Sequence, residues 1–61
     1  MNTLKFKAWL TENRIKQKEI MELLDLSGTS VNKKINGKED FTLPQIRIIC
    51  KKYGISSDIF L

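Results

Sequence analysis

The chain has no histidine and a single cysteine, Cys50. One thiol cannot close an internal disulfide, and without histidine there is no credible zinc set. Glu19 and Glu22, three residues apart, come nearest to an acid pair. With neither histidine nor pocket-forming loops beside them they read as a solvated face, so an enzyme is not expected, nor a cofactor or small-molecule ligand. Long apolar runs are also missing. The longest, around residues 46–50, is interrupted by Arg47 and cannot span a bilayer. The start, MNTLKFKAWL, lacks the apolar stretch and cleavage site of a signal peptide. A cytoplasmic, reducing location is therefore expected. There are no repeats, linkers or low-complexity segments, and residues 1–61 read as one domain. A chain this short hides only about 60% of its unfolded surface. With disulfide and metal both excluded, self-association is the remaining aid to stability, and a homodimer is expected.

What is present is helical patterning and a basic excess. Eleven Lys and Arg against seven Asp and Glu give a net charge of +4, which favours anionic partners over cationic ones. Five segments have helical character, and none alternates with period two. The first covers roughly residues 3–13, with Phe6, Trp9 and Leu10 on one side flanked by Lys5 and Lys7; Ile15 follows as a plug in the turn. The second runs over about 17–24, with Ile20, Leu23 and Leu24 inward. In the third, about 28–36, Ser27 is placed to cap the start and Gly37 to end the helix after Asn36.

The fourth start is the best-specified local feature. In F-T-L-P-Q-I, Thr42 and Gln45 complete a capping box, Phe41 and Ile46 occupy the staple positions, and Pro44 falls in the first turn. Leu43, Ile46, Ile49, Cys50 and Tyr53 then make one apolar stripe, stopped by Gly54. Ser56 or Ser57 caps a last short turn carrying Ile59, Phe60 and Leu61. Trp9 and Tyr53 read as packing residues and Cys50 as a small buried hydrophobe. The fold class is all-α, a compact bundle of about five short helices.

From Gln17 to Asn36 the order is helix, three-residue turn, helix, with apolar residues at Ile20, Leu24, Leu26 and Val31. That layout suits a helix-turn-helix in which Leu26 pins two helices at a steep angle. In DLSGTSVNKKINGK only Val31 and Ile35 look able to moor the second helix, so its other side projects. A projecting helix fits the DNA major groove, whose base edges display distinct donors and acceptors. Its N-terminal residues do the reading, here Gly28, Thr29, Ser30, Asn32 and Lys33.

The ordered set I-K-Q-K-E-I (15–20), L-S-G-T-S-V (26–31), K-I-N-G-K (34–38) and F-T-L-P-Q-I (41–46), with the ending G-I-S-S-D-I-F, resembles the XRE or Cro/repressor-type helix-turn-helix family of phage and bacterial regulators, prophage-encoded members in particular. The resemblance covers nearly the whole chain. It implies a five-helix fold, a homodimer on a palindromic double-stranded operator, and transcriptional repression. It also implies that Gln17, with Lys18 beside it, touches a phosphate and braces the reading helix. Asn36, Gly37 and Lys38 match the loop that meets the DNA backbone.

The sequence departs from that pattern in four places. Met21 stands where a small alanine is usual, and Asp25 where the turn often has glycine. Lys34 occupies a position usually apolar. Either its stem lies along the core with the amine in water, or the helix is rotated so that Ile35 enters instead. Gly28 leads the reading face with no side chain, which either allows close backbone approach or leaves no base contact there. Ile48 misses the inward stripe of the fourth helix, and with Ile59, Phe60 and Leu61 it forms a candidate dimer patch. Two other readings stay open: an antirepressor or interaction module that keeps the fold without the DNA face, and an autoregulating antitoxin.

Overall fold

The computed structural model describes residues 1–61. Four α-helices, α1 (Leu4–Glu12), α2 (Gln17–Leu24), α3 (Gly28–Ile35) and α4 (Leu43–Tyr53), are followed by a 3-10 turn at Ser57–Phe60. No strand forms, and no helix is long and apolar enough to cross a membrane.

Local chemistry sets most of the boundaries. The Ser27 hydroxyl accepts from the Ser30 N–H and starts α3. At α4 the capping box is complete: Thr42 Oγ1 accepts from the Gln45 N–H, and Gln45 Oε1 accepts from the Thr42 N–H. Ser56 caps the final turn through the Asp58 N–H. Gly54 closes α4 in the left-handed conformation, φ 65°. Asp25 does the same for α2 at φ 55°, a conformation aspartate tolerates better than most residues.

Two boundaries depend on more than local sequence. Thr3 precedes α1 where a cap would stand, yet its hydroxyl donates to the Ile35 carbonyl at 2.6 Å and so ties the chain start to the end of α3. Arg14 takes a left-handed φ of 55° after α1, which lets the Ile15 N–H reach the Leu10 carbonyl at 2.9 Å and carries Ile15 onto the core edge.

The core joins Phe6 and Leu10 of α1, Ile20 of α2, Val31 and Ile35 of α3, Phe41, Ile46 and Ile49 at α4, and Phe60. At its centre Phe6 stacks on Phe60 with ring centroids 4.6 Å apart, and Phe41 meets both rings edge-on at 5.5 and 5.4 Å. Phe60 is thus not part of a surface patch. It is 3% exposed, because the 3-10 turn folds its ring back between α1 and α4. Ile59 is half-buried and packs on the same core. Of the four residues expected to make a dimer patch, only Ile48 and Leu61 stand exposed.

Leu43 departs from expectation as well. It belongs to the helical stripe by spacing but is 68% exposed. Phe41, the residue before the cap, fills that end of the core, so the first helical position is left outside. The rest of the stripe packs inward, with Ile46 and Ile49 buried and Cys50 and Tyr53 half-buried.

Candidate nucleic-acid interface

α2 and α3 meet through the turn 25–27, with Leu26 half-buried against the core. Three residues hold α3: Val31, Ile35 and, unexpectedly, Lys34, which is 9% exposed. Both alternatives drawn from the sequence are therefore incomplete. Ile35 enters the core, and so does the lysine stem, but its amine is not left in water. It donates to the Asp40 carbonyl at 2.8 Å and lies 5.9 Å from the Phe41 ring centroid. Lys34 is thereby withdrawn from any role in reading bases. It fastens the loop after α3 instead.

The opposite side of α3 stays open. Thr29, Asn32 and Lys33 are exposed, whereas Gly28 and Ser30 are half-buried against the turn and α2. The Ser30 hydroxyl also accepts from Ser27 Oγ at 3.2 Å. The 3-10 turn lies on α1 and α4, so the chain end does not roof over this ridge.

Gln17 lies between the two helices. Its Nε2 donates to the Gly28 carbonyl at 3.1 Å, and its Oε1 accepts from Asn32 Nδ2 at 3.5 Å. One side chain of α2 thus grips the first turn of α3 and orients Asn32. Lys18, next to it, is exposed.

Met21 and Gly28 fit together. A Cβ built on Gly28 would lie 3.5 Å from Gln17 Nε2 and 3.6 Å from both Met21 Sδ and Cε. The large thioether thus fills the space beside the smallest residue. Those distances are ordinary van der Waals contact, and Gly28 has no left-handed φ. Gly28→Ala is therefore expected to stabilise the fold by about 0.4–1 kcal/mol through the unfolded chain. That is a rise in melting temperature of roughly 2–8 °C. A fall in the thermal melt would show that the Met21 and Gln17 side chains cannot accommodate the methyl.

At the far end of α3, Asn36 is the C-cap and Gly37 turns the chain at φ 77°. That left-handed φ is what favours glycine here, since a Cβ would meet the Met1 carbonyl oxygen only at 3.4 Å, an ordinary contact. The Lys38 N–H folds back to the Lys33 carbonyl at 2.8 Å. Asn36 donates to the Asn32 carbonyl at 2.9 Å and accepts from Lys7 Nζ at 2.8 Å. Lys38 is exposed. Lys33 has one loose ion pair, 3.9 Å from Glu39, with both side chains about half exposed. An exposed pair of that kind contributes about 0–1 kcal/mol and yields readily to another anion.

Lys7 is the residue that sequence reasoning missed at this edge, where it counted only as a flank of the first helix. No pattern within the chain links residue 7 to residue 36; only the docking of α1 against the end of α3 does.

The surface groove lies elsewhere. It encloses about 350 Å³ and is lined by Glu19, Glu22, Leu23, Lys52 and Tyr53, on the flank of α2 turned away from Gln17 and Met21. There Tyr53 donates to Glu19 Oε2 at 3.3 Å. Burial first, then the Glu19 charge and this hydrogen bond, raise the phenol above its ordinary value. The fold favours the neutral phenol, so its contribution is complete below about pH 10 and is lost as pH rises through the folded-state value. Above about pH 10 the melting temperature of wild type is thus expected to fall more steeply with pH than that of Tyr53→Phe. Parallel curves would remove the Tyr53–Glu19 bond from the account of stability.

Burial likewise raises the Cys50 thiol, which keeps it protonated and a poor nucleophile. No three His, Cys, Asp or Glu side chains come together as metal ligands.

Among curated proteins and among solved structures, none matches the chain. A family model does: the BetR domain, over residues 4–61, a span that takes in all four helices, the final turn and the whole of the α3 ridge. The chain therefore belongs to the BetR domain family, a family of small helical domains of helix-turn-helix type.

Proposed function

We propose that the domain is a regulatory, sequence-specific binder of double-stranded DNA, with α3 lying in the major groove. The observation that carries this reading is the open face of α3. Val31, Lys34 and Ile35 hold the helix from one side, while Thr29, Asn32 and Lys33 project from the other with Gln17 bracing the first turn. In the groove lysine donates to guanine O6 and N7, asparagine pairs with adenine N6 and N7, and threonine offers a hydroxyl and a methyl. Thr29, Asn32 and Lys33 are the base readers in this reading. Gly28 and Ser30 serve mainly to bring the backbone close. Gln17, Lys18, Asn36 and Lys38 hold phosphates and fix the register.

The finer reading is a Cro-like repressor of the XRE type, acting as a homodimer on a palindromic operator. Two copies would set their α3 helices about 34 Å apart on successive faces of the duplex. The exposed Ile48 and Leu61 are the part of the expected dimer patch still available to a second copy. Selection of bound sequences from a random duplex pool tests both levels. A palindromic consensus supports the repressor dimer, a single half-site supports a monomeric reader, and recovery of no enriched sequence would remove sequence-specific reading.

A further inference from the structure

We propose that α1 supplies a third element of the DNA interface, with Lys7 neutralising a backbone phosphate beside Asn36. The proposal rests on the DNA-binding reading above and extends it to a helix outside the helix-turn-helix.

Lys7 is held at the edge of that site. Its amine donates to Asn36 Oδ1 at 2.8 Å, and the same amide donates to the Asn32 carbonyl at 2.9 Å. Lys7 is thereby linked through one side chain to the backbone of the reading helix. Two further ties run in parallel from the chain start: Thr3 Oγ1 donates to the Ile35 carbonyl at 2.6 Å, and the Met1 ammonium meets Asp40 Oδ1 at 2.8 Å. These three bonds fix α1 against the end of α3 and the loop to Asp40. Lys7 is thereby positioned beside Asn36 by its own bond and by the two bonds of the segment that leads into α1.

The charge of Lys7 is uncompensated. The ion pairs of the protein are Met1–Asp40 and Lys33–Glu39, and neither involves it. Its partner is a neutral amide oxygen, and the residue is exposed. The C-terminal end of α3 attracts a cation without neutralising it. Two residues past Asn36, Lys38 presents a second exposed ammonium on the loop that follows α3. A cation held in place without a counter-ion, next to residues assigned to phosphates, is suited to displacing condensed counter-ions from a duplex.

Counter-ion release distinguishes a phosphate contact from a residue that only steadies Asn36. Binding to a random-sequence duplex is measured over a salt series for wild type, Lys7→Met and Lys7→Arg, with thermal melts of each. The expected result is that Lys7→Met makes the slope of log affinity against log salt shallower by about 0.9 for each copy bound, about 1.8 for a dimer, with the fold intact. Lys7→Arg should restore the wild-type slope. If Lys7→Met lowers affinity at an unchanged slope, Lys7 acts only by positioning Asn36 and the proposal falls. If it changes neither affinity nor slope, the proposal falls as well. Absence of salt-dependent DNA binding by wild type would instead sink the DNA-binding reading, and this proposal with it.

Discussion

Phe60→Ala is expected to remove a large share of the domain's stability, about 3–5 kcal/mol. The ring is buried between Phe6 and Phe41, and truncating a buried phenylalanine carries that cost. A domain of this length has a total stability of roughly 3–9 kcal/mol, so the loss is of the same order as the whole. Denaturant titration followed by circular dichroism reads the effect directly. The neighbouring Leu61→Ala is the control. Leu61 is 75% exposed, and its truncation should stay within about 0.5 kcal/mol of wild type. The comparison also separates two roles for the chain end. If Phe60→Ala kept its melting temperature and instead dissociated an oligomer, the ring would belong to an interface between copies and its place in the core would be wrong.

The second large effect concerns DNA. With about six phosphates neutralised, log affinity is expected to fall against log salt with a slope near −5. Against that background Lys38→Ala and Asn32→Ala should behave differently. Lys38 is an exposed cation on the loop after α3. Its loss should weaken selected and random duplexes alike and make the slope shallower by about 0.9 for each copy bound. Asn32 is neutral, exposed and oriented by Gln17. Its loss should cost about 1–3 kcal/mol on the selected sequence, leave the slope unchanged, and relax preference at a single base pair. Equal losses for both variants on both kinds of DNA would refute this division of labour. A Lys34→Met variant adds a negative control, since that amine is turned onto the Asp40 carbonyl and away from the ridge. It should keep the salt slope of wild type.

Much of this was legible without coordinates, and the legible part has a common physical character. The Ser27 cap, the Thr42–Gln45 box, the Gly54 stop and the Ser56 cap are all interactions within a few residues of chain. Local hydrogen bonds and φ restrictions are properties of short sequences, so they announce themselves. Helical spacing likewise assigned Phe6, Leu10, Ile20, Val31, Ile46 and Ile49 to the inside, because an apolar face at that period can be buried in only one way.

What the sequence by itself determined, then, was the order of the helices, most of their ends, and the fact that one short helix has a polar, basic side with little to bury. Only the tertiary structure decided which element covers which residue. Phe60 and Leu43 exchanged their expected places because the final turn and Phe41 reach the core first. Lys34 became a core residue because a carbonyl from the following loop lies within reach of its amine. Lys7 joined the edge of α3 because Asn36, 29 residues away, comes to meet it. Periodicity orients a side chain about its own helix axis, whereas what waits on that side is supplied by distant chain and carries no local signature.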